Sequence, residues 1–321
     1  MSSLALAGTR RLNISGTYVG LILAIVATSV ALSIASPFFL TWVNFVNISN
    51  QIAVNLIIAV GMTIIITTEG IDLSVGSNVA VTGVVVGLLF RVMAGGPWAL
   101  LVGIIVGVGT GVVIGLLNGT MINAIGVPPF IATLGMMVAL RGVALILSQG
   151  RVLFDIPPLF ETTFSGFIFG FPRPILIAFM AVILGHIILH HTPIGRYGMA
   201  VGGNERCAAV TGLAVKKIKY AVYAMGGGLA ALSGLTLTGM MSAAEPIAGV
   251  FYELDAVAVV VMGGTSLQGG RGSVVGTALG ALFLGVVRNG LNLLRVPAYY
   301  QQLLVGIVIL VAVLASSRKR K

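Results

Sequence analysis

Ten apolar runs follow one another along this chain, at 17–36, 48–68, 73–92, 98–121, 128–148, 172–190, 220–242, 253–268, 273–294 and 298–316. Most are close to the roughly 20 residues that a helix needs to cross the hydrocarbon core of a bilayer. Backbone at that depth finds no water for its N–H and C=O groups, and a helix satisfies them internally. The expected fold is an all-α polytopic membrane protein of about ten transmembrane helices, with residues 1–321 forming a single transmembrane domain. Charge agrees, because only 8% of residues are charged where a soluble chain carries about a quarter. The 44 glycines let apolar helices approach closely in lipid. In the eighth run, Glu253 and Asp255 open it and Gly263-Gly264 interrupts its end, so a broken or partly re-entrant helix is expected there.

Cytoplasmic loops of membrane proteins are enriched in Lys and Arg. With the N-terminus inside, twelve of the eighteen basic residues fall on the inner side: Arg10, Arg11, five in the central loop 191–219, Arg271 and the four of the tail. Ten spans then place both termini in the cytoplasm. In that orientation the runs at 48–68 and 220–242 cross in opposite directions, so the groups 48–148 and 220–316 are expected to be inverted-topology repeats. The net charge of +10 follows this topology and forms no basic groove, so the expected partner is lipid and not nucleic acid. The N-terminal MSSLALAGTRRLNISG lacks a cleavage pattern and leads into the first span.

Polar residues inside apolar runs are costly and therefore informative. Asn47, Gln51 and Asn55 recur every four residues on one helical face. With Asn78, Asn289 and Asn292 they form the expected substrate pathway, although the same residues could serve as interhelical hydrogen bonds. Asn118, Asn123 and Arg288 add further polarity. Carboxamides both donate and accept, which suits a polyhydroxyl solute. The acids Asp72, Glu253 and Asp255 are candidate gate residues; Asp72 or Ser74 can also cap the helix that follows.

The loop 149–173 contains Pro157-Pro158 and the apolar residues Phe154, Leu159, Phe160, Phe164, Phe167 and Phe169, and is expected to lie on the surface. Cys207, the sole cysteine, leaves no intrachain disulfide and is read as a small buried residue. His186, His190 and His191 have no accompanying ligand pattern, so no metal site is expected. No nucleophile, base and orienting group are assembled, and there is no phosphate-binding GxxxxGK[ST] loop. Transport driven by ATP would need another polypeptide, and ATP and Mg are placed there.

In the central loop, Gly202-Gly203 and Asn204 read as a turn and N-cap before a short helix from Glu205 to Thr211. Such a helix at the membrane surface is a candidate contact for a cytoplasmic partner.

Four blocks carry a resemblance: AVGMTIIITTEGIDLSVGS, INAIGVPPFIATLGMMVALRG, HTPIGRYGMAVGGNERCAAVTGLAVKKIK and YELDAVAVVVMGGTSLQGGRGSVVG. Collinear over about residues 45–316, they resemble ribose-type sugar permeases of bacterial ATP-binding-cassette importers. The resemblance implies a bacterial inner-membrane channel subunit of a monosaccharide importer. Its implied partners are a cytoplasmic ABC ATPase, a periplasmic sugar-binding protein and a second permease copy. It further implies that Gly202, Gly203, Asn204, Glu205, Ala208 and Gly212 belong to a coupling element inserted into the ATPase. A self-contained, ion-coupled secondary transporter of a small polar solute is the alternative.

Overall fold

The structure, a computed structural model, describes residues 16–93, 96–304 and 306–307. The long helices are α1 (Gly16–Ala35), α2 (Trp42–Ile66), α3 (Val75–Met93), α4 (Ala99–Thr120, continued by a π-helical turn at Met121–Ile125), and α5 (Pro129–Ser148). After a short α6 (Pro158–Ser165) and a two-stranded antiparallel hairpin, β1 (Phe167–Ile168) and β2 (Phe171–Pro172), comes α7 (Arg173–His191). Two small helices, α8 (Pro193–Gly203) and α9 (Glu205–Val210), lead to α10 (Val215–Met241), α11 (Tyr252–Met262) and α12 (Val274–Leu293).

Among the described residues, eight helices are long and apolar enough to cross a membrane, not ten. The eighth run forms only the 11-residue α11, about 16 Å at 1.5 Å per residue, which reaches about halfway through a hydrocarbon core. The tenth run is helical from 298 to 304, and most of it lies outside the described residues. So do Arg10, Arg11 and the basic tail on which the placement of the termini leans.

The centre of the bundle is α2, whose most apolar 18-residue window is 78% buried; in α1 the share is 6%, and its outward residues are apolar, as a lipid-facing surface requires. Small residues set the closest packing. A Cβ on Gly111 of α4 would stand 2.2 Å from the Gly227 carbonyl oxygen of α10, and one on Gly115 would stand 2.1 Å from that of Tyr223. Without a hydrophobic drive between helices in lipid, this backbone contact supplies the dispersion that holds α4 against α10.

Two connections pack into the bundle, the first buried apart from Glu69 and Ile71, the second burying Ala243, Ala244, Pro246 and Gly249 while Ile247, Val250 and Phe251 stay exposed. Residues 67–74 join α2 to α3, and residues 242–251 join α10 to α11. They converge where Gly76 meets Gly249: a Cβ on either glycine would clash with the backbone of the other. Ser242, Gly249 and Phe251 all adopt positive φ, which turns the second connection back on itself. Arg141 of α5 holds it there, donating to the carbonyls of Pro246 (2.9 Å) and Ala248 (2.8 Å). Non-helical backbone within a membrane requires such protein partners.

The 149–173 loop departs from a purely superficial segment. Phe160 and Phe164 are buried, with the Phe160 ring 4.9 Å from that of Phe90, whereas Phe154, Leu159, Phe167 and Phe169 remain exposed. Cys207 is exposed, contrary to its expected burial, because the inward face of α9 is occupied by Ala208.

Candidate functional site

A cavity of about 920 Å³ opens between α2, α11 and α12 at the bundle end opposite α8 and α9. The helical period of α2 turns Asn44, Asn47, Gln51 and Asn55 toward it, joined by Asn50. From α12 come Arg288, Asn289 and Asn292, and from α11 Tyr252 and Asp255. Ile52, Leu237, Met240, Phe251 and Leu284 supply apolar wall. Among the described lining residues Asp255 and Arg288 alone carry charge, and they neutralise one another: Arg288 Nη2 donates to Asp255 Oδ1 at 2.5 Å. The Asp255 side chain is 4% exposed and that of Arg288 31%. Gln301 Nε2 donates to Asn292 Oδ1 at 2.8 Å.

Of the sequence-predicted pathway residues, Gln51, Asn55, Asn289 and Asn292 share this cavity, and so does Asp255 from the gate set. Asn78 lies elsewhere. Its Nδ2 donates to the Gly227 carbonyl (3.2 Å) and its Oδ1 accepts from Thr82 (3.1 Å), so it ties α3 to α10. Asp72 is buried away from the cavity; it accepts from the Ser74 backbone N–H (2.8 Å), the Ser74 hydroxyl (2.6 Å) and Asn118 Nδ2 (3.2 Å), which folds the 67–74 connection. Glu253 is buried beside Gly76 and outside the cavity lining. Asn44 and Asn50 join the cavity beyond the predicted residues, their signal being the succession Asn44, Asn47, Asn50, Gln51, Asn55. The pairing of Arg288 with Asp255, 33 positions apart, has no signal in the sequence.

Across the bundle, α8 and α9 form the second region of interest. Asn204 caps α9, its Oδ1 accepting from the Cys207 N–H at 2.9 Å, and Gly212 at φ 85° permits the turn that follows. Glu205 pairs with Lys219 of α10 at 2.7 Å. Ala208 packs inward while Arg206, Cys207, Ala209 and Val210 project outward, with Val210 89% exposed. The two glycines differ: a Cβ on Gly203 meets nothing, whereas one on Gly202 would stand 2.0 Å from the Thr67 carbonyl oxygen. That same oxygen accepts from Gly270 N–H at 3.0 Å. The end of α8, the end of α2 and the loop before α12 therefore meet at one backbone junction.

From this junction to the cavity, α2 and α12 are joined repeatedly. Thr63 and Thr277 share a hydrogen bond at 2.7 Å, Gly285 admits Ile52, and near the far end Asn44 and Asn289 hydrogen-bond reciprocally.

A family described as branched-chain amino acid transport system / permease component matches residues 44–313. The chain belongs to this permease family. It is 43% identical over 299 residues to the ribose import permease protein RbsC of Haemophilus influenzae, covering 92% of this chain and 91% of that protein. To RbsC of Bacillus subtilis it is 40% identical, covering 95% and 92%. The D-allose transport system permease protein AlsC of Escherichia coli is 34% identical, covering 88% and 85%. No solved structure matches the chain. As an ABC permease it is the non-catalytic membrane translocation subunit, multi-pass in the membrane and paired with a separate ATPase.

Proposed function

We propose that this permease carries a monosaccharide inward across the bacterial inner membrane, powered by ATP hydrolysed on its partner. The observation that carries the reading is the charge-neutral, carboxamide-lined cavity in a chain so similar to ribose import permeases. Carboxamides can replace the hydration of hydroxyl groups one for one, and the aromatic and aliphatic wall suits the C–H faces of a sugar ring.

In this reading the cavity end faces the periplasm, where a sugar-binding protein delivers solute, and both termini lie in the cytoplasm. Two permease copies pair around two ATPases. Gly202, Gly203, Asn204, Glu205, Ala208 and Gly212 form the coupling element, with the exposed face of α9 seated in the ATPase. Movement of that element reaches α2 and α12 through the Gly202, Thr67 and Gly270 junction, and the joined helices carry it to the cavity wall. Asp72, buried in the 67–74 connection, and Glu253, buried in the first turn of α11 beside Gly76, act in gating by holding the connections in shape. The groups 48–148 and 220–316 are inverted repeats; the buried breaks after α2 and α10, meeting at Gly76 and Gly249, support this.

Reconstitution in proteoliposomes tests the reading. Uptake of labelled ribose or a related aldose should require binding protein, ATPase and ATP together. Gradient-driven uptake by the permease alone would instead establish an ion-coupled transporter. Gly203→Trp and Glu205→Arg should insert normally yet lose solute-stimulated ATP hydrolysis, since both positions are exposed.

A further inference from the structure

The cavity holds one ion pair among the described residues, bridging α11 and α12. A buried pair is rarely a net source of stability, because desolvation offsets the Coulomb attraction. Asp255 sits in the first turn of a half-length helix, and Arg288, on α12, is partly open to the cavity. Their contact among the described residues is one hydrogen bond, Nη2 to Oδ1. Both residues line the cavity, Arg288 more openly than Asp255.

We propose that Asp255 and Arg288 form a polyol subsite within the permease, specific for neutral vicinal diols. The carboxylate accepts from one hydroxyl and the guanidinium donates to the oxygen of its neighbour, both charge-assisted. Asn50 Oδ1 and Asn55 Oδ1, in the same lining, are buried without a hydrogen-bond partner among the described residues, and a small rotation of either amide would let it accept from a further hydroxyl. The Tyr252 ring in the lining covers an apolar sugar face. Because the charges cancel, a neutral sugar meets no net field, and a sugar acid or an amino sugar gains at one member of the pair what it loses at the other, so its own charge is desolvated without net compensation. A transit site must release what it binds, so the affinity belongs on the order of a millimolar Kd. This subsite rests on the reading of the chain as a monosaccharide permease.

The test uses the permease–ATPase complex in nanodiscs without binding protein, probed by saturation-transfer NMR with D-ribose and with its acid, D-ribonate. The wild-type complex should give a ribose signal and little ribonate signal. The paired neutral variant Asp255→Asn/Arg288→Gln should weaken ribose binding at least tenfold while still co-purifying with the ATPase. Asp255→Asn alone leaves Arg288 uncompensated and should gain ribonate binding, a result that a damaged protein cannot give. Unchanged ribose signal in the paired variant, or no ribonate gain in the single one, overturns the subsite. Uptake by the wild-type complex separates the two readings: no monosaccharide import overturns the function, whereas import with an unaltered paired variant overturns the subsite alone.

Discussion

Asn44 and Asn289 lie 245 positions apart in the chain and exchange two hydrogen bonds, Asn44 Nδ2 to Asn289 Oδ1 at 3.0 Å and Asn289 Nδ2 to Asn44 Oδ1 at 2.7 Å. Both residues are about 3% exposed. Asn44→Leu removes both of the bonds that Asn289 makes to it, and Asn289→Leu strands the Asn44 Oδ1 while its Nδ2 keeps the Phe39 carbonyl, each at a cost of roughly 1–3 kcal/mol. Thermal unfolding of the purified permease in detergent should show each single variant destabilised. The double variant should fall well short of the sum, since neither amide is left facing an apolar partner and only the Phe39 carbonyl loses its Asn44 donor; strict additivity would show that the pair is not coupled.

Gly202 and Gly203 are adjacent but opposite in surroundings. Gly202→Ala pushes a methyl group into the Thr67 carbonyl and toward the Gly270 N–H, 2.9 Å from the added Cβ, whereas Gly203→Ala meets open space. Reconstituted Gly202→Ala should lose about tenfold or more in solute uptake, equivalent to about 1.4 kcal/mol on the coupled step. Gly203→Ala should transport like the wild type. Equal behaviour of the two alanine variants would remove the junction from the coupling route.

The α4–α10 contact makes a stability prediction. Gly227→Ala places its Cβ 2.2 Å from the Gly111 carbonyl oxygen and should destabilise by roughly 1–3 kcal/mol, through forced separation of the helices. Gly109→Ala, on the same α4 helix with nothing within 4 Å, should be neutral or stabilising by up to about 1 kcal/mol through helix propensity. Melting temperatures measured side by side decide between packing and propensity.

Arg141 holds two carbonyls of the 242–251 connection and should be needed for its order. Arg141→Met retains apolar bulk but removes both hydrogen bonds. Hydrogen exchange should rise across residues 242–251 and leave α12 protected. Uniform loss of protection across the bundle would mean that Arg141 supports the whole fold.

Much of the architecture was legible because hydropathy is a local property. Helices at 16–35, 42–66 and 274–293 could be drawn to within a few residues, apart from the early start of α2, from the apolar runs alone. The cap at Asn204 and the break at Gly263-Gly264 were legible for the same reason: side-chain-to-backbone capping and glycine flexibility act over three or four residues. Asn47, Gln51 and Asn55 announced a common face by their spacing, because helical periodicity fixes direction around an axis.

What those polar faces meet was decided by the tertiary structure. Spacing could not show that Asn78 turns toward Gly227 rather than the cavity, that Asp72 closes on Ser74 and Asn118, or that Arg288 finds Asp255. The sequence determined a bundle of membrane-crossing helices, since burying apolar length in lipid needs no partner. Hydrogen bonds and ion pairs need partners at about 3 Å, and only the packing of distant helices brings them together.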